Sequence, residues 1–443
     1  MSDELPKGWV TARISEIAET HSGGTPSTAK REYWDNGDVP WINSGALKDC
    51  VISQPSTYIT KLGSQNSAAK LFPKHTVVIA LTGATTGRVG MLDFACSANQ
   101  SVTGIFPSEV FIPSYVFNFL RFARPQVLEL AIGSAQPHIN KRLVDDFEIP
   151  LAPVDEQQRI VAKLEALLGK VDGCQPRLAK VAMLLKRFRQ SSLAAACSGR
   201  LTADWREQNK VTEAFEQTTV ETIADYVGGY AYKSPTFLEA GKHQVIRIGN
   251  VRPLSLKLDA SPVFIPDEIA QQTERFKVLP GDIVISMTGT KYKQDYGFAS
   301  IVRESDGSLF LNQRVARLRC KEKVMPTFLL YWVQTDLFRK FFFAGETGNV
   351  NQGNVGAGGI REAPIELPSL AEQQEIVRRV AGLFALADQL EQRLAQARKQ
   401  VDKLTPSLLA RAFAGQLVPQ DPADEPAAAL LARINRKGNS NAE

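Results

Sequence analysis

Histidine and cysteine are scarce in this chain: four histidines (His21, His75, His138, His243) and five cysteines (Cys50, Cys96, Cys174, Cys197, Cys320) in 443 residues. No Cys-x-x-Cys and no His-x-x-x-His pair occurs. That excludes a tetrathiolate or helical two-histidine zinc site and suits a reducing cytoplasm. No apolar run approaches the ~18 residues of a membrane span. The start "MSDELPKGW" has neither the basic head nor the apolar core of a secretory signal. The expected location is the cytoplasm, with no membrane partner. A strong excess of one charge is also missing. Net charge is only +5, so any nucleic acid is met by local patches and not by a basic field over the whole surface.

Catalytic signatures are missing as well. No Pro-Pro dipeptide exists, so the acid-or-Asn, Pro-Pro, aromatic motif of amino-methyltransferases is absent. No Asp-x-Lys or Glu-x-Lys occurs, which removes the end of a PD-(D/E)xK nuclease site. "GATTGRVG" (83–90) looks like a phosphate loop but places Arg88 where the Gly-Lys-Ser/Thr ending belongs. "GNVGAGG" (353–359) has the wrong glycine spacing for a dinucleotide fingerprint. No nucleophile elbow is present. The expectation is a non-catalytic chain, with no catalytic residue, metal or cofactor of its own.

What the chain does have is a repeat. "EQQRIVAKLEALL" (156–168) returns as "EQQEIVRRVAGLF" (372–384), 216 residues later, and the match runs ungapped to Leu201 and Leu417. Both copies carry an apolar seam in alternating steps of four and three. In the first it is Ile160, Leu164, Leu167, Val171, Cys174, Leu178, Val181, Leu185, Phe188. In the second it is Ile376, Val380, Leu383, Ala387, Leu390, Leu394, Ala397, Val401, Leu404. A 3.5-residue period held for four heptads predicts two helices, each roughly 40 Å long, packed as a left-handed coiled coil. Cys174 lies on that seam and reads as a packing residue. Gly173 and Pro176 predict a kink in the first copy. Thr405-Pro406 predicts the cap of a short second helix in the other copy. Gly199 and Gly415 read as helix stops.

The segments preceding the helices also echo each other. "INSGAL" (42–47) matches "IRIGNV" (246–251), "FPKHTVVIALTG" (72–83) matches "LPGDIVISMTG" (279–289), and "NQSV" (99–102) matches "NQRV" (312–315). Short β-branched runs, Gly turns and isolated helices point to an α+β class. The order is globular domain, long helix, globular domain, long helix, a pseudo-two-fold repeat. The boundaries read as 1–150, 151–205, 206–365, 366–420, and a C-terminal tail 421–443. Polar, Gly-rich loops sit at matching places before each helix: "GSAQPHINKR" (133–142) and "TGNVNQGNVGAGG" (347–359). "TGTKYKQDYGF" (288–298) interleaves basic and aromatic residues. Amides can read adenine edges and cations can meet phosphates. The candidates to touch DNA are Arg88, Gln136, Asn140, Lys141, Arg247, Lys291, Tyr292, Lys293, Asn351, Gln352 and Asn354. The ordinary alternative is that such loops are exposed turns.

The doubled Glu-Gln-Gln helix, with "LPKGW" (5–9), "VPWINSGAL" (39–47), "EIPLAPVDEQQRIV" (148–161), "LKRFRQSSL" (185–193), "GRLTADWR" (199–206), "LPSLAEQQEIVRRV" (367–380), "AFAGQLV" (412–418) and "DPADEPAAALLARI" (421–434), resembles the specificity subunits of Type I restriction-modification systems. The resemblance covers nearly the whole chain. It implies that each globular domain is a target-recognition domain reading one half of a split DNA site. It also implies that the two helices pair as a spacer and recruit two modification subunits, which carry S-adenosylmethionine and methylate adenine. Two restriction subunits then join for ATP- and Mg2+-dependent cleavage. A split site has a pseudo-dyad, which makes the two helices antiparallel, and two unlike reading heads imply an asymmetric target. Two other readings stay open: a self-sufficient DNA methyltransferase-nuclease, disfavoured by the absent motifs, and a purely structural coiled-coil adaptor.

Overall fold

A computed structural model describes residues 5–131, 138–349 and 352–440. Two helices of 44 residues dominate it: α1 (Val154–Cys197) and α2 (Leu370–Phe413). The chain divides into two compact units. Unit 1 comprises residues 1–178 and 396–443, and unit 2 residues 179–395. Each unit therefore holds one globular body, the first half of one long helix and the second half of the other.

Both bodies follow one plan. In unit 1 a five-stranded sheet runs in the order Thr20–Ser22, Val102–Ile105, Val77–Ala80, Val89–Leu92, Cys50–Ile52. In unit 2 the corresponding sheet has four strands: Ala224–Gly228, Val315–Cys320, Ile283–Ser286, Ala299–Ile301. Each body adds a four-stranded sheet around a parallel pair, Val39–Ile42 beside Cys96–Ala98 in one and His243–Ile246 beside Ser308–Leu311 in the other. Strands such as Val77–Ala80 and Ile283–Ser286 are buried on both faces, which is why they read as continuous apolar runs without alternation. An antiparallel ribbon closes each body just before its helix: Val10–Arg13 with Glu148–Leu151, and Glu216–Thr219 with Pro364–Leu367.

The cores show why each unit needs parts of both helices. In unit 1, Ile160 and Leu164 of α1 and Leu409 and Phe413 of α2 share one cluster with Trp9, Tyr115 and Phe119. The Phe413 ring stands edge-on to Tyr115 and Phe119 at 5.2 Å. In unit 2, Ile376, Val380 and Phe384 of α2 join Leu193 and Ala196 of α1 and the buried Phe328 and Trp332. Within each unit the two helix segments run antiparallel. In unit 1 Gln175 donates to Asp402 at 3.1 Å and Arg398 reaches the Leu178 carbonyl. In unit 2 Arg189 pairs with Asp388 at 2.5 Å and Glu391 at 3.3 Å, while Arg379 pairs with Asp204.

The seam is buried unevenly. Ile160, Leu164, Val171, Leu185, Ile376, Val380, Ala387 and Leu394 are buried; Leu167, Cys174, Leu178, Leu383, Ala397 and Val401 are half-buried. Val181, Phe188, Leu390 and Leu404 are 36–43% exposed, against the expectation of a closed seam. A pair of helices covers only one side of each, and these positions lie away from the cores of the globular bodies. One proline expectation is corrected: α2 continues through Pro406, so Thr405-Pro406 opens no second helix. Helix α1 is likewise continuous through Gly173 and Pro176. A proline inside a helix costs about 3 kcal/mol. Burial of Leu409, Ala412 and Phe413 just beyond Pro406 outweighs that. Gly199 and Gly415, at φ +74° and +68°, do stop their helices in left-handed geometry. Residues 427–440, expected in a tail, form a helix whose Ala427 and Leu430 are buried in unit 1.

The repeated Glu-Gln-Gln motif has a structural role. Gln157, fully buried, accepts the Ile112 N–H at 2.8 Å and donates to the carbonyls of Val110 (3.1 Å) and Ala152 (2.9 Å). Gln373 repeats this with the Met325 N–H (2.8 Å) and the carbonyls of Lys323 (3.0 Å) and Pro368 (2.9 Å). One side-chain amide thus ties a helix start to a backbone turn of the body about fifty residues earlier. It satisfies three buried backbone groups at once. Gln373→Ala should therefore destabilise the chain by about 3 kcal/mol. The check is the urea midpoint, with unchanged slope; a shift no larger than that of an exposed Gln→Ala would show that the amide does not hold the helix to the body.

Candidate nucleic-acid interface

In both units the turn after the central strand meets the polar loop that precedes the long helix. In unit 1 the turn at 82–88 bridges Thr82 to His138, and the Ile139 N–H donates to the Leu81 carbonyl at 2.9 Å. In unit 2 the same meeting is a sheet: Thr288–Gly289 pairs with Gln352–Val355, which pairs with Glu346–Asn349. Thr82 and Thr288 hold equivalent places in the matched "IALTG" and "ISMTG" runs. The structure therefore brings together the loop groups that the sequence singles out, separately within each unit.

Unit 2 has the more developed surface. Its 290–297 loop is held from beneath by Arg339, which donates to the carbonyls of Gln294 (2.7 Å), Tyr296 (3.2 Å) and Gly297 (3.4 Å). The same guanidinium stacks on Phe298 and Phe343 at 5.5 and 5.0 Å. Burial lowers the pKa of Arg339, and the nearby Asp336 works the other way. At the tip, Tyr292 is 74% exposed with φ +67°, an unusual conformation for an aromatic residue. Lys293 is exposed and makes no side-chain hydrogen bond or salt bridge among the described residues, though its charge acts on Asp295. Beside the loop lies an open cavity of about 540 Å³ lined by Ser286, Thr288, Thr290, Asp295, Tyr296 and Gln352. The Thr290 N–H, at 2.7 Å, holds the Asp295 carboxyl below the usual carboxylate range. The buried Thr288 hydroxyl has no partner among the described residues. This is a concave edge of acceptors and hydroxyls beside an exposed ring and an exposed cation. Such a surface can take a phosphate on Lys293 and present amide, hydroxyl and carboxylate groups to base edges.

The candidates separate accordingly. Arg88, Lys293, Tyr292 and Gln352 are exposed, and the first, second and fourth make no side-chain hydrogen bond among the described residues. Others are already engaged. Asn140 caps a short helix, accepting the Leu143 N–H at 2.9 Å, so its carbonyl is not free for a two-bond adenine contact. Lys141 pairs with Asp145 at 2.6 Å. Arg247 donates to the Ser261 carbonyl. Lys291 donates to the Gly348 carbonyl at 2.8 Å and lies over the Tyr292 ring. Asn354 is half-buried at its bridge to Thr288. Tyr296, grouped by sequence with the DNA-facing aromatics, is buried and donates to Glu346 at 2.6 Å; burial and that carboxylate push its hydroxyl pKa well up. Gln136 and Asn351 lie outside the described residues. Sequence reasoning missed Arg339, Asp295 and Thr288. Asp295 sits inside the quoted loop but is neither basic, amide nor aromatic, and nothing local marks Arg339.

No helix among the described residues is long and apolar enough to cross a membrane. The model of the Type I restriction modification DNA specificity domain matches twice, at residues 6–180 and 212–398. Along nearly its full length the chain is similar to the EcoBI specificity subunit of Escherichia coli, at 32% identity over 96% of this chain and 91% of that one. It is also similar to the EcoKI specificity subunit of Escherichia coli K12, at 26% over 97% and 96%. Among solved structures, a chain from work on complex assembly and conformational transition of the type I R-M system superposes with a TM-score of 0.71 at 18% identity, covering 93% of this chain and 99% of that chain. The HsdS subunit from Thermoanaerobacter tengcongensis does so at 0.59, with 18% identity and coverage of 94% and 99%. Two domain matches, two bodies of one plan and a full-length relative at 32% identity converge: the chain belongs to the Type I restriction modification DNA specificity family.

Proposed function

We propose that this chain is the DNA-reading subunit of a Type I restriction-modification assembly. It recognises an asymmetric split site, one half by residues 1–150 and the other by 206–365. It carries no catalytic residue and binds neither S-adenosylmethionine nor ATP nor Mg2+, which belong to partner subunits. The observation that carries this reading is the pair of bodies with one architecture and unlike surface loops, each closed by its own ribbon. The helices offer an attachment surface. In unit 2, Val181, Met183, Leu184 and Phe188 of α1 and Leu386 and Leu390 of α2 are exposed. Apolar residues clustered on polar helices mark a protein interface, here for a modification subunit.

The deciding experiment is methylome sequencing of a methylation-free host carrying the modification gene with and without this chain. A bipartite adenine-methylated motif present only with the chain is expected. A continuous motif, or methylation by this chain alone, would end the proposal. Calorimetry should detect no S-adenosylmethionine binding to the isolated chain.

Single residues should divide by role. Lys293→Ala should weaken binding to every DNA sequence alike and reduce the salt slope by about 1. Gln352→Ala should relax a single position of the motif, by about 1–3 kcal/mol of discrimination. Binding isotherms across a salt series on cognate and scrambled duplexes distinguish the two; a sequence-selective loss with Lys293→Ala would contradict the assignment.

A further inference from the structure

The two copies of the Glu-Gln-Gln motif differ in how their glutamate is satisfied. In unit 2 the chain supplies both donors to the buried Glu372: the Thr202 hydroxyl at 2.7 Å on Oε1 and the Arg206 guanidinium at 2.7 Å on Oε2. Glu156 occupies the same place in unit 1 and is equally buried. There the Trp9 indole N–H takes Oε2 at 3.0 Å, and Oε1 is buried with no donor among the described residues. The repeat ends at Leu201 and Leu417. Carried further, the same offset puts Val418 against Thr202 and Pro422 against Arg206, and neither side chain can donate.

The chain after Gly415 is instead proline-rich and acidic. It brings Gln420, Asp421, Pro422 and Asp424 around an open cavity of about 430 Å³ whose wall includes Glu156. Asp424 is taken by Arg159 at 2.6 Å. Asp421 accepts only the Ala423 N–H and forms no salt bridge among the described residues; the Arg159 guanidinium, already bonded to Asp424, acts on it through charge alone. Lys7 lines the same cavity, is exposed, and pairs with no carboxylate among the described residues. Burial pushes the Glu156 carboxyl up from its usual range, partly offset by Trp9 and Arg159. A buried carboxylate oxygen without a donor is destabilising, and an acid-lined cavity beside it is the geometry that a cation relieves.

We propose that this cavity is a receptor for a guanidinium group, supplied by an arginine of a partner subunit in the place that Arg206 fills in unit 2. The planar fork of a guanidinium can donate to more than one acceptor at once, which a single ammonium point charge does less well. That the donor is a partner subunit rests on the assembly proposed above; the receptor itself does not.

The Trp9 indole is a built-in reporter. The full chain, labelled with 15N-tryptophan, carries five indole N–H groups, and Trp9→Phe identifies the one bonded to Glu156. Methylguanidinium should shift that resonance saturably. Sodium at matched ionic strength should not, and methylammonium should act at least tenfold more weakly. Glu156→Gln, nearly isosteric and still able to accept from Trp9, should abolish the response. A Trp9 resonance that stays still in the wild type, or moves equally in Glu156→Gln, overturns the proposal. Lys7→Ala should leave the response within twofold; a tenfold gain would show that Lys7 fills the site from within and would overturn the external donor. None of these readings requires DNA or methylation, so their failure is distinct from failure of the proposed function.

Discussion

Exchanging residues 206–365 for the matching segment of the EcoBI specificity subunit is expected to rewrite one half of the methylated motif and leave the other half unchanged. The reason is how the body is closed. Strands Glu216–Thr219 and Pro364–Leu367 pair at the two ends of the segment, so a transplanted body enters and leaves through one ribbon. The staple that seats it on α2 is made to backbone: Gln373 bonds the Met325 N–H and the Lys323 carbonyl, which any sequence with the same turn supplies. Arg206, which pairs with the buried Glu372 at 2.7 Å, is the first residue of the exchanged segment, so the hybrid must carry arginine there. Losing it would leave a buried carboxylate short of its partner, at about 3–5 kcal/mol. Methylome sequencing of the hybrid reads the outcome directly. A change in both halves would mean that the two bodies do not read independently.

The second large effect separates buried from exposed seam positions. Ile376 is fully buried against Val380, Phe384 and the body of unit 2. Ile376→Asp places a carboxylate in that core with no partner. Destabilisation of about 4 kcal/mol or more is expected, enough to threaten a protein of ordinary stability. Leu390 lies on the same helix and the same heptad seam but is 39% exposed. Leu390→Asp should change stability by less than about 1 kcal/mol and instead weaken pull-down of the modification subunit. Urea unfolding and co-purification measure the two effects. Equal stability loss at both positions would show that the seam is closed along its whole length; normal co-purification of Leu390→Asp would remove the exposed strip from the partner interface.

Much of the architecture was readable because it is local or repeated. The four-three spacing from Ile160 and from Ile376 marks helices, since a helix period depends only on neighbours along the chain. Gly199 and Gly415 mark the ends because a left-handed stop favours glycine. Matched runs such as 72–83 and 279–289 do fall on equivalent strands. Pro406 misled for the opposite reason. Its local penalty is real, but Leu409, Ala412 and Phe413 pack on Tyr115 and Phe119, nearly three hundred residues away. The loop residues were half legible. Composition identifies loops rich in cations and amides, yet Asn140, Lys141, Arg247 and Lys291 are engaged by the protein itself.

The sequence by itself determined the duplication, the helices with their seam and stops, the α+β character of the bodies and the absence of familiar catalytic motifs. Each of these follows from residue identity and spacing along the chain. Only the tertiary structure decided that each body rests on the first half of one helix and the second half of the other, that Gln157 and Gln373 staple distant backbone, and that Thr202 and Arg206 complete one buried glutamate while Glu156 is left short. These outcomes depend on groups brought together across fifty to three hundred residues, where burial and hydrogen-bond satisfaction, not local preference, set the free energy.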